Sequence, residues 1–145
     1  MAIIDAKLEF SDAQVISCAS ASASISTNEF SMASVKNAWG TAITNDIGEG
    51  NNGLVANVQI ATVIEASVII VAKLYSHTAS SAISGSVLGE ATFAAAAAVG
   101  TRKQIRVPAG TVNKWMCMEY SVVGSSSTTG AVDAWLSLDT ETPTA

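Results

Sequence analysis

The chain has 145 residues, of which 49% are apolar and only 13% are charged, and its net charge is −5. That length suits one domain, with apolar mass enough for a single core. Seven basic residues against twelve acidic ones exclude a protein built to neutralise nucleic-acid phosphates. The charged fraction is about half the usual ~25%, which is accounted for if partners cover much of the surface.

In chain order, "MAIIDAKLEF" at the start lacks a basic region followed by an apolar run, so no signal peptide is expected. "AQVISCAS" and "ASISTNEF" read as weak strands. Between them "SCASASASIS" alternates serine with alanine and offers a flat strip of small side chains, suited to an edge or a loosely ordered segment. Cys18 lies here and Cys117 far away, in no CxxC or His/Cys pattern. Reduced thiols in an intracellular setting are the simple expectation, with a long-range disulfide as the alternative.

"TNDIGEGNNG" at 44–53 has the composition of a ligand loop. A phosphate loop requires a following Lys and helix, and a calcium loop a closing bidentate Glu. None of these follows, so a turn is expected, with Gly and Asn taking positive φ at low cost. "LVANVQIAT" alternates: Leu54, Ala56, Val58 and Ile60 face one way, Asn57 and Gln59 the other. "SVIIVAKLY" is nearly all apolar and suits a central strand, yet is too short to span a bilayer. "SHTASSAISGS" follows as a polar loop containing His77, the only histidine. No GxSxG elbow accompanies it, and one His with two separated Cys is a poor zinc set, so neither catalysis nor metal binding is expected there.

"GSVLGEATF" is a further strand. "FAAAAAVG" has helix propensity but is shorter than the ~12 residues an isolated helix needs; an extended, tightly packed segment is expected, with one helical turn as the alternative. "RKQIRVP" sets Lys103, Ile105 and Val107 opposite Gln104 and Arg106, and its basic trio Arg102, Lys103 and Arg106 reads as an exposed strand face. In "KWMCMEYSV", Met116, Met118, Tyr120 and Val122 share one face, and Trp115, Cys117 and Glu119 the other. In "AVDAWLSL", Val132, Ala134, Leu136 and Leu138 oppose Asp133, Trp135 and Ser137.

About eight short strands divided by Gly, Ser and Asn turns predict an all-β sandwich or barrel. No repeat or linker divides it, so residues 1–139 read as one domain and 140–145 as a flexible tail. With the aliphatic faces inward, Trp115 and Trp135 point outward, and pairing of their two strands would bring them together. Each Trp has about 150–250 Å² to bury, worth roughly 4–6 kcal/mol, and such exposed area marks an interface. The candidate protein-interface residues are Trp115, Glu119, Asp133 and Trp135.

The succession "FSDAQ" (10–14), "STN" (26–28), "DIGEG" (46–50), "VQIAT" (58–62), "RKQIRVP" (102–108), "KWMCMEYSV" (114–122) and "VDAWLSLD" (132–139) resembles the capsid cement, or decoration, proteins of tailed phages, a family typified in a Bordetella podovirus. The likeness follows nearly the whole chain in the same order. It implies a single-domain jelly-roll β-sandwich that binds the exterior of the assembled capsid and bridges neighbouring major capsid proteins. It further implies self-association, with a homodimer favoured over a homotrimer, and location on the virion after synthesis in the host cytoplasm. It implies no catalysis, no cofactor, no nucleic-acid partner and no membrane. The alternative is a jelly-roll carbohydrate- or receptor-binding module of a phage particle, using the same two Trp residues with Glu119 and Asp133.

Overall fold

The apolar, β-branched runs form the interiors of two antiparallel sheets. The computed structural model describes residues 8–31, 39, 54–80, 85–108, 113–127 and 129–137. Its strands are β1 (Glu9–Val15), β2 (Ala23–Ile25), β3 (Phe30–Ser31), β4 (Val55–Thr62), β5 (Val68–His77), β6 (Ser86–Phe93), β7 (Arg102–Arg106), β8 (Trp115–Gly124) and β9 (Ala131–Ser137). No helix occurs among the described residues. One sheet has the order β1-β9-β4-β7, and the other β2-β8-β5-β6 with β3 also paired to β8.

The strand partners are nested. β1 pairs with β9, β2 and β3 with β8, β4 with β7, and β5 with β6. Two further pairings, β4 with β9 and β5 with β8, join these ribbons into sheets. The protein is thus an all-β sandwich whose core lies between the sheets. Ala56, Val58 and Ile60 of β4 and Val132, Ala134 and Leu136 of β9 meet Ile70, Ala72 and Leu74 of β5 and Met116, Met118, Tyr120 and Val122 of β8. Phe10, Phe93 and Ile105 join the same cluster. The period-two patterns seen in the sequence therefore face the core as expected, and each large aliphatic side chain buried here contributes roughly 1.5–3 kcal/mol.

The "SVIIVAKLY" run is interior, as its composition predicts: β5 is flanked by β8 and β6. The basic trio lies on β7, an edge strand, where Lys103 and Arg106 are exposed. Charge on a sheet edge blunts pairing with other chains. The Ser/Ala strip likewise supplies the edge strand β2 and is largely exposed.

Two expectations change. "FAAAAAVG" is neither tightly packed nor helical: residues 94–100 form turns between β6 and β7, with Ala96 at φ 56° and Gly100 at φ 84°. Only Ala97 among them packs against the core, because the backbone is spent on turn and cross-strand bonds such as Gly100 N–H to Ile60 O. The first strand covers Glu9–Val15 rather than beginning at Ala13. It is broken by two register shifts, which turn both Phe10 and Ser11 inward and hide its alternation. The loop 44–53, Leu138 and the tail 140–145 lie outside the described residues.

Candidate functional site

The two tryptophans that the sequence places on outward faces do not form one patch. β8 and β9 belong to different sheets, so Trp115 and Trp135 lie on different sheets too. Trp135 is only 7% exposed. It sits beside Asn57 in register, and the Arg102 guanidinium stands 5.8 Å from its ring centroid, within the range of a cation–π contact. Asn57 is itself fully buried, accepting from Gln104 Nε2 at 2.9 Å and donating to Ser137 Oγ at 2.8 Å. Asp133 has a local duty: its Oδ1 accepts the Ala13 amide at 2.7 Å, holding the φ 42° residue of the β1 irregularity. Trp135 and Asp133 are thus engaged within their own sheet rather than presented together with Trp115.

Trp115 and Glu119 lie on the outer face of the other sheet. Trp115 is half-buried and Glu119 buried. Glu119 Oε1 is 4.0 Å from Lys73 Nζ, its register neighbour on β5. Beside Trp115 runs an open groove of about 430 Å³, lined by Ile25, Ser26, Thr27, Asn28 and Glu29 as well as the indole.

This lining segment is held by hydrogen bonds to strands β1 and β8. Gln14 Oε1 accepts the Thr27 amide at 3.0 Å, and Gln14 Nε2 donates to Ile25 O at 2.7 Å. Ser26 Oγ accepts the Met118 amide at 3.0 Å and donates to Asn28 O at 2.8 Å. The Asn28 amide donates to Phe10 O at 2.9 Å. A turn that would otherwise be mobile is fixed between β1 and β8, and this fixes where Glu29 sits.

At the end of the groove Glu29 meets two buried residues. His77, the last residue of β5, is 1% exposed, and Cys117 is 2% exposed. His77 Nε2 is 3.2 Å from Cys117 Sγ and 3.8 Å from Glu29 Oε1. One donor atom from each of the three lies within 4.8 Å of the other two. His77 Nδ1 faces the Ala79 carbonyl, which can only accept, so Nδ1 carries a proton. In the neutral ring the Nε2 lone pair then points towards Cys117.

The pair is not arranged as a thiolate nucleophile. Burial, with the nearby Glu29 and Glu119 carboxylates, pushes the Cys117 thiol up to about 12 from its ordinary 9.0. A reactive cysteine needs the opposite, a lowered value in electropositive surroundings. What the three groups do share is ligand chemistry: a sulfur, an imidazole nitrogen and a carboxylate oxygen converging from β8, β5 and the turn before β3. Both cysteines are free.

The sequence, with one His and two separated Cys, gives no expectation of metal binding at His77, and Glu29 carries no signal of its own, because the three residues are 48 and 40 positions apart (77 − 29 and 117 − 77). A signal was nonetheless present. Alternation along β5 puts His77 on the same outward face as Tyr75 and Lys73, just as it puts Cys117 with Trp115 and Glu119. Only the pairing register, with His77 opposite Trp115 and Phe30 opposite Met116, brings them together.

No protein-family model matches this chain. No curated protein matches its sequence either. Among the described residues, no helix is long and apolar enough to cross a membrane.

Proposed function

We propose that this chain is a structural virion protein, a jelly-roll cement protein that binds the outside of a phage capsid and bridges neighbouring major capsid proteins. The observation that carries the reading is the nested strand pairing. Pairing of first with last, second and third with eighth, fourth with seventh, and fifth with sixth is the nesting that a double Greek-key jelly roll would require, and it supports that reading. The resemblance of the ordered sequence segments to capsid cement proteins supports the same reading. The sparse charge supports it further, since a surface covered by shell and sister subunits needs little charge to stay soluble.

Each contact in such a lattice is weak. Many copies with several contacts raise the effective strength by avidity. Binding the assembled shell in preference to free subunits shifts the equilibrium towards the shell. The groove beside Trp115 offers a surface for a capsid segment: an indole flanked by a polar turn held by hydrogen bonds. Self-association is as a homodimer.

Electron microscopy of native virions tests this. Ordered density on the shell exterior that vanishes when the chain is deleted is the expected result, with deleted shells disrupting at lower temperature. Shells equally stable without the chain, or exteriors unchanged by its deletion, would overturn it. A second reading is favoured by one observation, that Trp115, Asn28 and Glu29 line a single groove, the aromatic-plus-polar set used to hold sugar rings. Titration calorimetry with glycans, with the heat lost in Trp115→Ala, would establish the binding module instead.

A further inference from the structure

We infer that Glu29, His77 and Cys117 form a binding site for a zinc-class divalent cation. The ligand atoms have the required kinds: thiolate sulfur, imidazole Nε2 and carboxylate oxygen. Hard cations such as calcium and magnesium prefer all-oxygen shells, so the sulfur and nitrogen select for zinc-like metals.

The spacing agrees. Two ligands bound at about 2.0–2.3 Å to one tetrahedral ion stand roughly 3.3–3.6 Å apart. The His77 Nε2 distances of 3.2 Å to Cys117 Sγ and 3.8 Å to Glu29 Oε1 bracket that range. Cys117 Sγ and the Glu29 carboxylate oxygen lie within 4.8 Å of each other, so Glu29 closes in when the ion binds.

The surroundings agree as well. A metal-bound His ordinarily donates its other ring N–H to a carbonyl or carboxylate, which fixes the ring and its tautomer. His77 does this through Nδ1 to Ala79 O. Two of the three side chains are almost wholly excluded from solvent, while Glu29 also lines the groove, which gives the ion a path in. Three protein ligands leave a fourth position for water. Binding breaks the Cys117 S–H bond, forms a sulfur–metal bond and releases one proton to solvent. The bound ion would tie the turn before β3 to β5 and β8, and so fasten one wall of the groove.

The inference is independent of the cement reading and is tested on the free protein. The full chain, stripped with chelator and kept reduced, is titrated with Co(II). One ion per chain is expected, with a thiolate-to-cobalt charge-transfer band and the intense visible bands of a tetrahedral site, all abolished by an equimolar amount of Zn(II). Cys117→Ser should remove the charge-transfer band and Cys18→Ser should keep it. Glu29→Gln should weaken affinity by about tenfold or more. A folded wild-type chain, verified by its β-sheet circular dichroism, that gives no charge-transfer band overturns the inference. So does a band that survives Cys117→Ser.

Discussion

The Tyr120 hydroxyl of β8 lies 2.8 Å from the Ser11 hydroxyl of β1, a buried hydrogen bond that links the two sheets through the core. Ser11 spends its own proton on Gln14 Oε1 at 2.7 Å, so Tyr120 donates to Ser11. Gln14 in turn holds the Thr27 amide. A chain of side chains thus runs from the core to the turn that carries Glu29.

The direction of these bonds makes the two ends unequal. Ser11→Ala strands a buried phenolic donor and should cost about 1–3 kcal/mol, whereas Tyr120→Phe leaves Ser11 still donating to Gln14 and should cost about 1 kcal/mol. Urea unfolding of the two variants compares them directly. Equal losses, or a larger loss in Tyr120→Phe, would contradict the donor assignment.

Gly124 closes β8 at φ 101°, and a Cβ there would meet the Ser67 carbonyl oxygen at 2.5 Å. The obstacle is backbone, which cannot swing aside as a side chain would. Gly124→Ala is therefore expected to lower stability by at least about 2 kcal/mol, from left-handed strain and the close contact together. Thermal unfolding of that variant beside Gly100→Ala is the check. Gly100 also has positive φ, at 84°, but open space around it, so its loss should be the smaller.

Stability should decline on the alkaline side. Burial raises both Cys117, to about 12, and Tyr120, the latter despite its bond to Ser11. The unfolded chain releases the thiol proton above about pH 9 and the phenolic proton above about pH 10, while the native state keeps both. The unfolded state then binds fewer protons, so the free energy of unfolding falls as pH rises. Below about pH 8.5 neither group contributes a slope. Denaturant midpoints measured in chelator at pH 8 and pH 10.5 should differ, with part of the difference removed by Tyr120→Phe. A midpoint that does not move would refute the shifts.

The core was legible in the sequence wherever a strand ran regularly. Along β4, β5, β8 and β9 the apolar residues recur with period two, and those residues face the core. β1 was misplaced because its two register shifts break the period. The alanine run 94–98 is not helical because propensity speaks for a segment in isolation, whereas Glu65 and Ile64 hold this one through backbone bonds to Ala96 and Ala97. Adjacency in sequence does not give adjacency in space for β8 and β9, which lie in different sheets and hold Trp115 and Trp135 apart. The Glu29, His77 and Cys117 cluster was hidden for the same reason: periodicity tells which face a residue takes, but not which strand lies beside it.

The nesting of the strands also orders events during synthesis. β8 stands between β2 and β5, and β9 between β1 and β4, so the two latest-made of the described strands fill interior positions in both sheets. Until residue 137 has emerged, β1 has no sheet partner among the described residues and β4 has only β7. The chain holds β1 unpaired, and β4 and β5 paired on one side only, while the rest is translated. Folding then waits on distant closures, which places it among the slow, millisecond-to-second folders. A ribosome stalled before β9 would display unsatisfied strand edges on β1 and β4, the kind of nascent chain that draws chaperones.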